Sequence, residues 1–380
     1  MRYEPFNRAP NKLFIYLFST LIMEMLSSIK IEEKKHPNAL AYDEKETLNE
    51  ILNKTGFKRE KEIFRGEIIY TNGAKPVTGS ILLKGTYKAK PAVLKIQGLR
   101  LESSEVEIIK RFEQQNKSRI IHAPTIYQSE EWNAKRGYGF FIMEFVNAPH
   151  IYSLPFATSA QMKDFARFYQ EYKTKAITKP WIKLEKFNIY SNAQLNDASL
   201  LSAVINAVEK WRKNAEAKGR LRFEDYAPYL IRFYPIAARY VPGMKIEFMH
   251  RELTQQHIFK LDDGTYKLSS NILWGYRLQW SDLAYNIWFN LLNIKGNSYT
   301  ADEVIDYTEK WVNIYKMIPI VKRDEDFERK MNFLLTERAI GIIVGDLGSG
   351  QYWGSSEGKK YFKHMLRIYQ QVFNHFAEKL

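Results

Sequence analysis

The spacing of apolar positions along this chain changes twice, and the changes divide it into three parts. Residues 1–60 carry charged, helix-type spacing, broken at Pro37-Asn38. From 62 to 97 the apolar residues come in short β-type runs: EIIYT, the turn-rich NGAKPVTG, then SILLKGTYK and PAVLKI. That pattern predicts consecutive antiparallel strands. A helix follows over 102–116, where Ile108, Ile109 and Phe112 share one face at i, i+1 and i+4. Another apolar strand covers 139–146.

Beyond Pro149 the period is mainly helical, over 160–175, 198–218, 223–240 and from 282 to the C-terminus. Strands near Ile258 and over 266–272 interrupt it, and glycines break it at Gly296 and across 345–358. The expected fold is therefore α+β. A helical extension (1–60) precedes a small antiparallel-β lobe (61–147), and a large, mainly helical lobe (148–380) follows, leaving a cleft between the lobes.

Composition narrows this only a little. At 380 residues and 45% hydrophobic, the chain can bury one large or two moderate cores. It has no cysteine, which excludes disulfides, thiolate metal sites and a cysteine nucleophile, and fits a cytoplasmic setting. The formal net charge of +14 would suit an anionic partner. The basic residues are scattered over helices without an arginine-rich block, so dedicated nucleic-acid binding is not expected. Residues 13–26 are apolar and follow Arg2, Arg8 and Lys12, but the stretch contains Glu24 and is short for a membrane span. A helix docked on the domain, or a surface contact with a membrane, is the expectation there.

Four features that bear on chemistry fall in order. Lys95 ends the apolar run Ala92-Val93-Leu94, and strand alternation puts it on the face of Val93, where a buried ammonium needs an anionic partner. A lone strand-end lysine more often snorkels to solvent. Glu105 lies on the buried face of the next helix, beside Ile108 and Ile109, so an ion pair with Lys95 is expected. Glu102 and Glu107 are rival partners that helical phase turns toward solvent. The strand 140–146 ends at Glu144 and Val146, and its backbone could face an adenine edge. The fourth feature is FMHRELTQQHIFK, residues 248–260, followed by the hairpin-like LDDGTYKLSSN.

With that stretch the chain resembles the aminoglycoside phosphotransferase and choline kinase branch of the protein-kinase-like fold. The family loop His-Gly-Asp-Leu-x-x-x-Asn-Ile-Leu stands here as His250-Arg251-Glu252-Leu253-Thr254-Gln255-Gln256-His257-Ile258-Phe259. A hairpin at Asp262-Asp263-Gly264 follows, then Trp274-Gly275, then Asp282-Leu283-Ala284-Tyr285. The resemblance implies that ATP or another nucleotide is bound by Lys95 paired with Glu105. Gly73 and Gly79 would lie over the phosphates and Glu144 to Val146 would form the hinge. It also implies that His250 packs the loop and that Asp282 braces it through backbone N–H groups.

Three departures bear on activity. Glu252 stands at the catalytic-base position, and its extra methylene moves the carboxylate by about 1.5 Å, where a ~1 Å misplacement can cost about 100-fold. His257 stands where Mg²⁺ meets an asparagine, and imidazole suits Mn²⁺ better than Mg²⁺. The metal-binding aspartate is replaced by Asn271 or by Leu273, depending on alignment. Asp262 and Asp263 read as turn residues. The favoured reading is a pseudokinase or strongly impaired nucleotide-binding module, with an unknown small molecule or protein as further partner. An active ATP-dependent phosphotransferase on a small-molecule hydroxyl, with Glu252 as base and metal at His257 and Asn271, is the alternative. A non-enzymatic basic interaction protein is the second.

Overall fold

The short β-type runs become a five-stranded antiparallel sheet in the order β1-β2-β3-β6-β5. These strands are β1 (Lys58–Ile68), β2 (Val77–Tyr87), β3 (Lys90–Gln97), β5 (Ile126–Asn133) and β6 (Tyr138–Glu144). The computed structural model describes residues 44–68, 77–97, 105–133, 135–136, 138–152, 156–181, 197–217, 221–269, 274–292, 299–347 and 356–380. The apolar stretch 13–26, Gly73, Asn271, Leu273 and the expected break at Gly296 lie outside these residues. Among the described residues no helix is long and apolar enough to cross a membrane.

Alternation along β3 decides both faces of the sheet. Ala92, Leu94 and Ile96 point into a core with Leu83, Phe140 and Ile142, and helix α1 (Glu44–Thr55) adds Ile51 to the same core. Helix and sheet therefore share one hydrophobic unit, and β1 begins at Lys58, four residues before the β-type spacing becomes visible in the sequence. Val93 and Lys95 occupy the opposite face, toward the cleft. Helix α2 (Glu105–Gln115) covers that side with Val106, Ile108, Ile109 and Phe112 buried. Strand β5 was not legible from the spacing because it is an edge strand of mostly polar residues, IYQSEEWN, paired only with β6.

The helical lobe is built from α3 (Ser159–Glu171), α4 (Asp197–Ala217), α5 (Phe223–Tyr240), α6 (Ser281–Leu292), α7 (Ala301–Lys316), α8 (Phe327–Gly341) and α9 (Ser356–Glu378). Its core is aromatic. Trp311 packs on Tyr152, Phe165 and Tyr315 at ring-centre distances of 5.5, 5.4 and 5.3 Å, the first and last tilted and Phe165 edge-on. Such contacts add directional preference to a large burial term.

Two small sheets hold the loop of interest. Strand β7 (Ile246–His250) pairs antiparallel with β10 (Trp274–Leu278), aligning His250 with Trp274. Strand β8 (Ile258–Lys260) pairs with β9 (Tyr266–Leu268), and β4 (Ile121–His122) joins β9 in parallel. That last pairing ties the segment after α2 to the helical lobe and fixes the floor of the cleft. The hairpin between β8 and β9 turns at Gly264, whose φ of +81° is left-handed, with Asp263 accepting hydrogen bonds from the Thr265 amide and hydroxyl. Asp263 is thus a turn residue, as its spacing predicts.

Candidate functional site

Two cavities flank the 250–258 loop. The first, of about 510 Å³, lies under the sheet and is lined by Leu82, Val93, Met143, Glu144, Val146 and Phe259 among others. Lys95 does not line this cavity; it stands in register between Leu82, which does, and Phe141. Lys95 Nζ donates to Glu105 Oε2 at 2.5 Å, and both side chains are nearly inaccessible, at 11% and 3%. Gln97 Nε2 reaches the same oxygen at 3.3 Å. The local cause is simple: a strand residue facing the cleft meets the first turn of the helix ten residues later. Glu107 pairs instead with Arg111 at the surface, and Glu102 lies outside the described residues.

Glu144 and Val146 form one wall of this cavity. The Glu144 carboxylate does not point at a ligand. It accepts from the Thr125 amide at 3.0 Å and from Lys267 at 2.9 Å. Burial works to raise its pKa, but these two donors hold it below the ordinary carboxylate range. Gly79 lies in β2.

The loop itself is knit by internal hydrogen bonds. His250, fully buried, presents its ring edge-on to Trp274 at 5.2 Å and donates its backbone N–H to the Tyr172 hydroxyl at 2.7 Å. The expected brace, Asp282, is buried and takes a different set of donors. Its Oδ1 accepts from the Tyr169 hydroxyl at 2.8 Å and from the Leu283 amide at 3.0 Å, and neither donor belongs to the loop. Burial raises its pKa, and the nearby Lys173 opposes that rise. The brace for His250 comes from a π-type turn, Tyr172–Ala176, that continues α3. No motif in the sequence announces it, although the close spacing of Phe168, Tyr169 and Tyr172 marks an unusually aromatic helix end.

His257 Nδ1 lies 3.0 Å from the backbone carbonyl of Glu252. A carbonyl cannot donate, so Nδ1 carries the proton and Nε2 holds the lone pair. Nε2 is 3.4 Å from the amide nitrogen of Gln256. Burial, together with His250, His150 and Lys95, pushes its pKa down to about 3, so the ring is neutral throughout the physiological range.

Mg²⁺ wants near-octahedral oxygen ligands. His257 supplies one nitrogen, its other nitrogen is already used, and among the described residues no three His, Cys, Asp or Glu side chains are placed to hold a metal. Asn271 and Leu273, the other expected ligand positions, lie outside the described residues, which leaves His257 as the one expected ligand position among them.

Glu252 opens onto the second cavity, of about 300 Å³, on the helical-lobe side. Three guanidinium groups (Arg251, Arg277, Arg338) and three carboxylates (Glu252, Glu337, Asp346) line it. Arg338 forms an ion pair with Asp346 at 2.7 Å and lies over the Tyr285 ring at 4.4 Å. Burial raises the pKa of Glu252, with Arg251, Arg338 and Arg277 opposing the rise. Burial likewise raises Glu337, against Arg277 and Arg338.

One wall is Trp211, from α4. A Cβ added at Gly341 would come within 3.1 Å of the indole Cζ3, and one at Gly345 within 3.3 Å of Cγ. The ring is seated along these two glycines, which sit four apart where α8 passes into a second π-type turn, Ile342–Asp346. π-type turns inside helices concentrate at functional sites. Sequence reasoning placed only Glu252 here. Its companions come from α4, β10, α6 and α8, and no spacing links them.

No protein-family model and no curated sequence matches this chain. Solved structures do. A thermostable mutant of the aminoglycoside phosphotransferase APH(4)-Ia, in ternary complex with ADP and hygromycin B, superposes with a TM-score of 0.52 at 9% identity, covering 85% of this chain and 97% of that one. A second mutant of the same enzyme, with AMP-PNP and hygromycin B, gives a TM-score of 0.51 at 9% identity over 85% and 97%. Amicoumacin kinase hAmiN, with AMP-PNP, Ca²⁺ and Ami, gives 0.48 at 13% identity over 88% and 94%. The chain has the aminoglycoside phosphotransferase and protein-kinase-like fold: an antiparallel-sheet lobe, a helical lobe and a cleft between them.

Proposed function

We propose that this protein binds a nucleotide through a kinase-like cleft whose metal position has been disabled, making it a pseudokinase or a strongly impaired phosphotransferase. One contrast carries the reading. Lys95 and Glu105 form a closed, buried pair on the cleft face of the sheet, one register step from cavity-lining Leu82, whereas His257 offers neutral nitrogen and is already tied to the loop backbone. In this reading ATP, or another nucleotide, lies between the sheet and Phe259, with its base against the wall at Glu144 and Val146. Lys95 donates to the α- and β-phosphates while Glu105 holds the ammonium in place. Phosphoryl transfer depends on positioning and on neutralising charge over the terminal phosphate, mainly by metal. With only Lys95 supplying positive charge, binding survives and transfer is slow.

Thermal-shift titration with ATP tests this, in chelator and again with Mg²⁺ or Mn²⁺. The expected result is a saturable rise in Tm that is the same with and without metal and is lost in Lys95→Ala. A shift that requires metal would overturn the reading.

Glu252 supports a second reading, an active phosphotransferase acting on a small-molecule hydroxyl. Its carboxylate is desolvated, its pKa is raised toward the working range of a general base, and it faces a cavity separate from the nucleotide's. Measurable turnover that disappears in Glu252→Ala, with Mn²⁺ more effective than Mg²⁺, would establish that reading.

A further inference from the structure

Three residues of β1 that the sequence spaces three apart come onto one face of the sheet. Lys58, Lys61 and Phe64 stand opposite Thr86, Lys84 and Leu82, which are alternate residues of β2 and so share a side. Bulges at Arg59/Lys61 and Glu62/Phe64 make the conversion. The result is a stripe along an edge strand. Lys58, Lys61 and Phe64 are exposed, Phe64 at 54%, and half-buried Lys84 lies directly across from Lys61.

More cations gather at the same end of the sheet. The β2–β3 hairpin turns through Lys88 and Ala89, Lys90 pairs with Tyr87, and Arg59 stands opposite Gly85. At ~3.4 Å per residue, all six basic side chains start within about 17 Å of strand length. Among the described residues none of the six is paired with a carboxylate. Lys84, Lys88 and Lys90 lie over the rings of Phe145, Tyr87 and Tyr127 at 4.3, 5.2 and 5.9 Å. Such contacts aim an ammonium without cancelling its charge. The acidic residues closest in β1 are Glu60, which is exposed, and Glu62, which Arg65 holds.

Two features of this pole cost stability. Like charges directly across a sheet, as at Lys61 and Lys84, repel. The hairpin turn has φ of 49° at Lys88 and 62° at Ala89, a two-residue geometry that favours Asn and Gly. An anionic partner relieves the first and engages the lysine that the second presents.

The composition of the pole selects among anions. None of the six cations lines the cavity under the sheet. Five of the six are lysines, hydrated point charges without the planar fork that reads one phosphate or carboxylate in fixed geometry. Protein interfaces are depleted in lysine and centre on Trp, Tyr and Arg. A bulged, lysine-bearing edge also resists strand addition by another chain. A diffuse anionic layer needs only the charge, and Phe64 adds an apolar side chain to enter it.

We infer that this pole of the small lobe docks on an anionic phospholipid surface. The inference goes beyond the nucleotide reading and needs no nucleotide.

Co-sedimentation of the full-length protein with phosphatidylcholine vesicles, and with vesicles one-third phosphatidylglycerol, tests it. Binding is expected only with phosphatidylglycerol, at about 0.1 M salt and not at about 1 M. Each cation near such a surface is worth about fivefold, so Lys58→Gln, Lys61→Gln and Lys88→Gln together should weaken binding about 100-fold. A control triple, Lys163→Gln, Lys310→Gln and Lys322→Gln, removes the same charge from exposed lysines of the helical lobe. It should weaken binding by less than about fivefold.

The inference is overturned if neutral vesicles bind equally, as an apolar contact through residues 13–26 alone would produce. It is also overturned if the two triple variants bind alike, if duplex DNA binds more tightly than the vesicles at the same salt, or if no vesicle binds. The ATP-induced Tm shift of the pole variant should equal that of the parent, and a smaller shift would overturn the separation of pole from cleft. Vesicle binding without any ATP shift in the parent removes only the nucleotide reading.

Discussion

The two sides of the cleft are held together in different ways. On the sheet side, Lys95 and Glu105 form a pair that a ligand can use without breaking it: the ammonium keeps donor capacity beyond its bond to Glu105. On the loop side, two backbone groups are tied to side chains. Tyr172 takes the His250 amide, and His257 takes the Glu252 carbonyl. A catalytic loop that depended on metal would leave ligand atoms free for it; this one closes its backbone with an imidazole. In the proposed reading, the frame is stabilised by buried side chains, and His257 contributes its own hydrogen bond to the fold.

The largest way to break this comparison is on the sheet side. Glu105→Ala leaves the Lys95 ammonium buried and unpaired, which costs about 3–5 kcal/mol and should abolish the ATP-induced Tm shift. Urea unfolding and thermal titration would measure both. A stability loss as small as that of a surface pair would contradict the buried geometry.

Next is the brace beneath the loop. Tyr172→Phe removes the acceptor of the His250 amide and should cost about 1–3 kcal/mol, while nucleotide binding at Lys95 is retained. If nucleotide binding fell as far as in Glu105→Ala, the two sides would not be separable.

His257 offers a sharper comparison. His257→Asn keeps an N–H donor for the Glu252 carbonyl and adds an oxygen ligand, so stability should stay within about 1 kcal/mol and the ATP shift should gain metal dependence. The same variant tests the acid limb. With its folded pKa depressed to about 3 from an unfolded value near 6.5, His257 supports stability above pH 6.5, and that support is lost as pH falls toward 3. His257→Asn should flatten the stability profile in that window, as followed by circular dichroism.

The smallest effect belongs to Glu252. A carboxyl whose folded pKa is raised favours the folded state when protonated, at pH below the ordinary carboxylate range, and that favour is lost as pH rises through the raised value. Glu252→Gln should therefore be slightly more stable than the parent near neutral pH. The difference should vanish on acidification.

Much of this molecule was legible one segment at a time. The helix expected over 223–240 is α5, Phe223–Tyr240, because its apolar residues keep a 3.6 period throughout. The Lys95–Glu105 pair was legible because strand alternation and helix phase each assign a face, and the two residues are only ten apart. Strand β7 and its partner β10 were not, since His250 and Trp274 align through a ladder that no local pattern encodes. The brace was misplaced for a related reason: a buried aspartate and two buried tyrosines compete for the same loop, and packing assigned the His250 amide to Tyr172.

The sequence by itself determined the two-lobed frame, the ordered positions of Lys95, Glu105, Glu252 and His257, and the chemical poverty of His257 as a Mg²⁺ ligand, because each follows from local period or from the identity of one side chain. Only the tertiary structure decided which nitrogen of His257 is committed, and which of Glu252, Glu337 and Asp346 already has a partner. It alone brought Trp211 onto the glycines of the Ile342–Asp346 turn. The His257 and Arg338 contacts join residues close in the chain, whereas Trp211 meets glycines more than a hundred residues away. In each case the surrounding charges and donors, not the spacing alone, set what the side chain can do.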